Sequence, residues 1–311
     1  MNSLRTGVSE YLELRRSLGF RLKKDERLLL DFADFMDRRH AARITVKLAV
    51  EWAQQPESTD QNYLAGRLRA VRSFTRYRIL TDPRTEIPPT DILPRRRSTF
   101  QPHIFSEDEI TRVLAASLQR RRGAKPISRW SRYTIFGLLS ATGMRVSEAV
   151  NLDLEDVDLD QGVLTIRHSK FGKSRLVPVH ATTCNVLKIY REQRDAFLAG
   201  GVAKPFFISP LGCRIIPTVL DRSFLRLTRK LGMRGALDAT GPRLHDLRHT
   251  MAVDVLRRCY RGGADPERRL PALSTYLGHS HLNYTYWYLH QNPGLMTETV
   301  ARLQHRWEAS A

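Results

Sequence analysis

The sequence predicts a mainly α-helical protein with a small β-hairpin, arranged as an N-terminal helical domain followed by a mixed α+β domain. Apolar residues recur with the 3.6-residue period of a helix through most of the chain. Two strand-like runs, Val163–His168 and Ser174–Val179, flank a short Gly-containing connection that is typical of a hairpin. Five prolines between residues 81 and 102 exclude a regular helix there and predict a linker between the domains.

The first 80 residues contain four segments with helical spacing, which together predict a small helical bundle. Their apolar positions begin at Val8, Leu28, Val46 and Leu64. The fourth segment also carries basic residues beside its apolar stripe: Arg67, Arg69, Arg72 and Arg76. The linker adds a basic run: Arg95, Arg96 and Arg97. Both sets are candidate contacts to a DNA backbone, although a solvated basic face explains the set on the fourth segment equally well.

The second domain is expected over residues 103–290 and begins with a helix start signal. Ser106 and Glu109 form the pattern of a capping box, which predicts a helix to about Leu118. Further helices are expected near residues 129–139, 145–151, 181–198, 217–231, 243–258, 267–277 and 281–289. Residues 291–311 carry one more apolar stripe at helical spacing: Met296, Val300, Leu303 and Trp307. That stripe must be buried on its own domain or in a groove of a neighbouring protomer.

The charge of the chain favours a polyanionic partner. Its 311 residues include 51 Lys and Arg against 32 Asp and Glu, a formal net charge of +19, and such an excess is typical of proteins that bind nucleic acid. No apolar run approaches the roughly 20 residues that cross a bilayer, and the first residues lack the apolar core of a signal peptide. We therefore expect a soluble cytoplasmic protein associated with the nucleoid. The three cysteines lack the spacing of zinc ligands, and no metal site is expected.

One group of residues fits the chemistry of phosphodiester cleavage without a metal. That reaction needs a nucleophile, cations for the charge on the nonbridging oxygens and an acid for the leaving oxygen. Arg145 follows a Gly turn at a predicted helix start, where a guanidinium can bind two phosphate oxygens. Glu148 lies three residues later on the same face and can hold this arginine. His245 and Arg248 share the same spacing after Pro242, so both can reach one phosphate.

The acid and the nucleophile stay ambiguous from spacing alone. Three cations lie in the predicted hairpin, Lys170, Lys173 and Arg175, and any of them could contact DNA or protonate a leaving oxygen. The last predicted helix carries three tyrosines, Tyr284, Tyr286 and Tyr288. Helical periodicity does not identify a nucleophile among them, and an aromatic cluster is more often part of a core than of a catalytic site.

A family resemblance resolves both choices. Arg145 with Glu148, Lys170 in Lys-x-x-Lys-x-Arg-Leu-Val-Pro, His245-x-x-Arg248, Leu-Gly-His279 and Tyr288 occur in this order, and the set resembles the tyrosine recombinase (phage integrase) family. The resemblance covers about residues 104–290. It implies that Tyr288 is the nucleophile, that Lys170 is the general acid, and that Tyr284 and Tyr286 are bystanders. It also implies that His279 joins His245 as a hydrogen-bonding or proton-transferring partner.

The same resemblance implies a fold and an activity. The N-terminal helices would form a core-binding domain and the remainder a catalytic domain, which exchanges DNA strands through a 3′-phosphotyrosyl link without ATP, metal or other cofactor. Double-stranded DNA would be the partner, and a homo-tetramer would assemble on paired sites, with sibling recombinases as further partners. Two alternatives remain open: relaxation of DNA by a type IB topoisomerase, and a noncatalytic DNA-binding regulator.

Overall fold

The computed structural model describes most of the chain between residues 4 and 290. The residues outside the description are 1–3, 21, 58–59, 95–100, 121, 168, 170–171, 236–237, 239, 263–265 and 291–311. The predictions for Arg95, Arg96, Arg97, Lys170 and the helix over residues 291–311 therefore fall outside the described residues. The chain divides into two compact units, Met1–Phe100 and Gln101–Ala311.

The N-terminal unit contains the four predicted helices. They are α1 (Leu4–Ser17), α2 (Lys23–Arg38), α3 (Val46–Gln54) and α4 (Gln61–Arg78). Local capping determines where the later two begin, since Thr45 accepts a hydrogen bond from the backbone of α3 and Asp60 accepts two from α4. The apolar stripes meet in a core that includes Phe32, Trp52 and Phe74, all fully buried.

The C-terminal unit is also mainly helical. Its helices are α5 (Glu107–Leu118), α6 (Ile127–Thr142), α7 (Val146–Asn151), α8 (Ala181–Leu198), α9 (Pro217–Lys230), α10 (Asp246–Arg261), α11 (Pro266–Leu277) and α12 (Asn283–His290). The capping box expected at Ser106 and Glu109 is present with both of its hydrogen bonds. Among the described residues, no helix is long and apolar enough to cross a membrane.

A three-stranded antiparallel sheet accompanies these helices. Its strands, β1 (Val157–Asp158), β2 (Val163–Ile166) and β3 (Arg175–Pro178), lie side by side in chain order. The register pairs Leu164 with Val177 and Ile166 with Arg175. The hairpin of β2 and β3 was predicted, whereas β1 was not, because two residues are too few to show an alternating pattern. This fold, mainly helical with a small sheet, is the predicted one.

Candidate active site

The end of α6 brings Arg145 to the site. Gly143 ends the helix in the left-handed conformation, with φ of 61°, and the chain turns directly into α7 with Arg145 at its N-cap. The carboxylate of Glu148 accepts hydrogen bonds from the Arg145 backbone at 2.9 Å and from its Nη1 at 2.6 Å. The side chain of Arg145 keeps 23% of its surface exposed, so this arginine is held in position and still reaches solvent.

Arg248 lies in the first turn of α10 and is almost completely buried. Its Nη1 donates to the carbonyl oxygen of Gly143 at 2.7 Å, and its Nη2 donates to that of Leu277 at 2.8 Å. Burial lowers the pKa of Arg248 to about 10, and the guanidinium therefore remains charged at neutral pH. The two arginines, 103 positions apart in sequence, are linked through the turn at Gly143.

Tyr288 packs against this arginine. It is 3% exposed, and burial raises its pKa, while the charge of Arg248 and a hydrogen bond from it oppose the rise. The ring of His279 stacks on that of Tyr288, with centroids 6.2 Å apart and planes 19° apart. Tyr284, in contrast, is 54% exposed. The structure thus brings Tyr288, Arg248 and His279 together.

The two predicted histidines occupy different surroundings. Nδ1 of His279 lies 2.8 Å from the hydroxyl of the buried Thr285. Burial and the charges of Arg248 and Arg145 lower the pKa of His279 to about 4, so its ring is neutral at pH 7. His245 is the N-cap of α10 and is exposed at the surface. Partial desolvation and the nearby charge of Arg248 lower its pKa as well.

The comparison with known protein families identifies the chain. The profile described as the Phage integrase family matches residues 103–294. The chain belongs to this family, that of the tyrosine recombinases. A Sinorhizobium fredii (strain NBRC 101917 / NGR234) protein named as an integrase/recombinase, y4rB, is 48% identical over 311 residues, covering 99% of each protein.

Two solved structures show the same fold. The crystal structure of XerA recombinase is 26% identical to this chain, with a TM-score of 0.52 and 98% of each chain covered. The Tn1549 transposon integrase in complex with transposon right end DNA has a TM-score of 0.67, covering 97% of this chain and 99% of that chain. Its identity is 16%, so this second likeness concerns the fold alone.

The hairpin cations of the recombinase have unequal positions. Lys173 is exposed, as a DNA contact requires. Arg175 is not: only 11% of its side chain is accessible, and its guanidinium binds both carboxylate oxygens of Glu148 at 3.0 and 2.8 Å. This position disfavours the predicted contact of Arg175 with DNA, because its nitrogens donate to groups inside the protein. The sequence could not show this, since a strand residue and an acidic helix residue give no local signal of contact.

The predicted basic residues of α4 also differ from one another in their exposure to solvent. Arg69 and Arg76 are exposed. Arg67 is 6% exposed, lies 3.9 Å over the ring of Trp52 and donates to the Trp52 carbonyl oxygen at 3.0 Å. Arg72 donates to the carbonyl oxygen of Pro88 at 2.6 Å and to that of Pro89 at 2.5 Å. The burial of Arg67 in the core of the N-terminal unit disfavours its predicted contact with DNA. Arg72 is half-buried.

One further histidine, His249, lies at the candidate site and was not among the predicted residues. The ring of His249 lies 5.5 Å from that of Tyr288 and 5.0 Å from that of His245. Burial lowers its pKa to about 3. A signal was available, because positions 245 and 249 are one helical turn apart and share a face. Among the described residues, no group of three His, Cys, Asp or Glu side chains is placed to hold a metal.

Proposed function

We propose that this recombinase breaks and rejoins duplex DNA at specific sites, with Tyr288 as the nucleophile. The phenolic oxygen attacks the scissile phosphorus, the bond from phosphorus to the 5′ oxygen breaks, and the enzyme becomes linked to the 3′ phosphate. The 5′ hydroxyl of a partner strand then attacks the same phosphorus and releases the tyrosine. Because the 3′-phosphotyrosyl link conserves the energy of the broken phosphodiester bond, the cycle needs no ATP. The charge stabilisation that a metal could give is assigned to the arginines, so no metal is needed.

The observation that carries this proposal is the meeting of Tyr288 with Arg248 and, through the turn at Gly143, with Arg145. Two guanidinium groups beside one phenol suit a phosphate that gains negative charge during attack. We assign both arginines to the nonbridging oxygens. Glu148 supports Arg145 through the two hydrogen bonds between them.

The proton transfers are assigned to the histidines and to Lys170. The neutral ring of His279 can accept a proton or a hydrogen bond, and it stacks on Tyr288. His245, at the start of the helix that carries Arg248, is the second candidate for this task. We assign Lys170 to protonation of the departing 5′ oxygen, on the strength of the family motif that it occupies.

The distribution of charge supports DNA as the partner. A cavity of about 530 Å³ lies at the start of α6, and none of its described lining residues is acidic. Five of them are cations: Arg120, Arg122, Lys125, Arg129 and Arg132. Contacts of such cations with the phosphate backbone of DNA supply a binding affinity that falls as the salt concentration rises. We add Arg69, Arg76, Lys173 and the run Arg95, Arg96 and Arg97 as proposed DNA contacts.

We further propose the domain organisation and the assembly that strand exchange requires. A core-binding domain over residues 1–80, a linker over 81–102 and a catalytic domain over 103–290 would bind one half-site. Residues 291–311 would dock within the protomer or on its neighbour. A homo-tetramer, with or without sibling recombinases, would join two sites in integration, excision, resolution or transposition. For a protein that acts on such DNA, we propose a cytoplasmic location at the nucleoid.

The decisive experiment traps the covalent intermediate. Nicked duplexes from the DNA that flanks the gene are incubated with the full-length protein in EDTA without ATP, and the linked peptide is mapped by mass spectrometry. We expect a 3′ adduct at Tyr288, its loss in Tyr288→Phe, and its retention in Tyr284→Phe and Tyr286→Phe. An adduct at another residue would refute the assignment. A two-site plasmid then distinguishes recombination from the relaxation that a topoisomerase would give.

A further inference from the structure

Three consecutive backbone carbonyl groups at the carboxyl end of α11 each accept a hydrogen bond from a different arginine. The three bonds are Arg175 Nε to Tyr276 O at 2.9 Å, Arg248 Nη2 to Leu277 O at 2.8 Å, and Arg145 Nη2 to Gly278 O at 2.9 Å. The arginines come from β3, from α10 and from the N-cap of α7. One short backbone segment thus contacts the guanidinium groups of three separate parts of the domain.

Helix geometry explains why this segment can hold cations. The last carbonyl groups of a helix have no partner within the helix, and they form the negative end of its dipole. A guanidinium is planar, so a hydrogen bond at one nitrogen restricts the direction of the others. The carboxyl end of α11 therefore orients each arginine as well as attracting it.

Arg175 differs from Arg145 and Arg248 because it closes a ring of hydrogen bonds that runs from the end of α11 through Glu148 and Arg145 and back to α11. Its Nε is bound to the end of α11, and its two terminal nitrogens are bound to Glu148. Glu148 in turn binds Arg145, whose Nη2 returns to Gly278. Each of the three nitrogens of the Arg175 guanidinium thus donates to a group within the protein, which favours a role through Glu148 and Arg145 over a direct contact with DNA.

Gly278 makes room for this arrangement. Its φ is +69°, and a Cβ at this position would lie 2.7 Å from Nη1 of Arg175. Such a distance is far below van der Waals contact, so any side chain at 278 would displace the guanidinium or the end of α11. The position needs glycine both for its backbone conformation and for the close approach of Arg175.

We propose that Arg175 is a positioning residue that, together with the carboxyl end of α11, directs the Arg145 guanidinium at a nonbridging oxygen of the scissile phosphate. Because α11 leads directly to His279 and to the helix of Tyr288, the segment that carries the nucleophile also orients the cation that the phosphate needs. This inference rests on the proposed function, and its test is designed to separate the two.

The test compares a charged and a neutral scissile linkage in Arg175→Met and in the wild type. The substrates are a nicked duplex with a normal phosphodiester and the same duplex with a methylphosphonate, in both diastereomers, at the cleavage position. A misdirected Arg145 should slow adduct formation on the phosphodiester by about 100-fold. On the methylphosphonate, which lacks the charge that Arg145 neutralises, we expect less than about a 5-fold effect, by the same reasoning on charge stabilisation.

A double-mutant cycle provides a second readout. If Arg175 acts through Arg145, adding Arg175→Met to Arg145→Ala should hardly slow adduct formation further. If the two residues act independently, the rate losses of the single variants should multiply in the double variant. Equal slowing of both substrates, or multiplied losses in the cycle, would overturn the inference. If the wild type forms no adduct on either substrate, it is the proposed function that fails.

A glycine pair tests the same inference without removing the buried arginine, in case Arg175→Met does not fold. Gly278→Ala should reproduce the substrate-dependent loss, because the added methyl group meets Arg175. Gly232→Ala is the matched control, since Gly232 has a similar φ of +71° and open space around the added Cβ. Loss of the phosphodiester reaction in both variants, or in neither, would contradict the positioning role.

Discussion

Arg145 and Glu148 contact each other twice at the start of α7, through the backbone nitrogen of the arginine at 2.9 Å and through its Nη1 at 2.6 Å. The carboxylate is 4% exposed on its side chain and also binds Arg175. A buried acidic group is stable there only because two cations neutralise it. This relationship makes the geometry of the site sensitive to the charge of Glu148.

We expect acid to weaken the fold through Glu148. Burial alone would raise the pKa of Glu148, but hydrogen bonds from Arg175 and Arg145 lower it to about 2, from 4.5. Since the folded-state pKa lies below the unfolded one, the contribution is complete above pH 4.5 and is lost as the pH falls towards 2. The shift corresponds to about 3 kcal/mol.

Urea unfolding of the wild type and Glu148→Gln between pH 6 and pH 2.5 measures this contribution. The stability difference between the two should shrink as the pH falls through this range. Glu192→Gln, at an exposed position of α8, is the control and should change little. A difference that does not depend on pH would contradict the assignment of the carboxylate to these arginines.

Replacement of Arg248 should separate DNA binding from cleavage. In Arg248→Ala the carbonyl groups of Gly143 and Leu277 lose their donors, which should cost about 1–3 kcal/mol of stability. Loss of a cation at the developing charge should slow adduct formation by about 100- to 1000-fold. Affinity for the duplex should remain within a few-fold, because the exposed cations are unchanged.

The DNA affinity of the Arg248→Ala variant is measured by gel-shift titration and its cleavage rate by adduct formation on nicked duplexes. Its stability is measured by thermal unfolding. Arg248→Lys keeps the charge and serves as the comparison. Equal losses of DNA binding and cleavage would argue that Arg248 is a binding residue and not part of the catalytic centre.

The hydroxyl of Thr285 should matter through His279. Thr285→Val keeps the volume of the buried side chain but removes the partner that lies 2.8 Å from Nδ1 of His279. A ring free to rotate should slow cleavage by about 10-fold, and DNA affinity should not change. Thr285→Ser restores the hydroxyl and should restore most of the rate. If Val and Ser variants cleave equally, orientation of His279 does not depend on this contact.

Local sequence signals predicted much of this fold, and contacts between distant elements account for what they missed. The capping box at Ser106 and the break at Gly143 are determined by neighbouring residues, and both are present. The position of the Arg175 side chain depends instead on distant residues, such as Tyr276, 101 positions away, whose carbonyl oxygen accepts a hydrogen bond from it. Helical spacing showed that α4 is basic, but it did not show which neighbour each arginine meets. The partners of a long side chain are determined by packing.

Arg67 and Arg76 of α4 should therefore have opposite phenotypes in the full-length recombinase. Arg67→Ala removes the contact with the Trp52 ring and the hydrogen bond to the Trp52 carbonyl, at an expected cost of about 2–4 kcal/mol in stability. Arg76→Ala removes an exposed charge and should leave stability within about 0.5 kcal/mol. If Arg76 contacts a phosphate, the slope of log affinity against log salt should become shallower by about 0.9.

Hydrogen exchange across α2, α3 and α4, together with gel-shift titrations at several salt concentrations, measures both effects. Arg67→Lys tests whether a positive charge alone maintains the stability of these helices, because lysine lacks the planar group that lies over the indole ring. An unchanged exchange rate in Arg67→Ala would show that the contact with Trp52 contributes little. An unchanged salt slope in Arg76→Ala would remove that residue from the DNA-contacting face and leave Arg69 as the remaining exposed candidate among the four predicted arginines of α4.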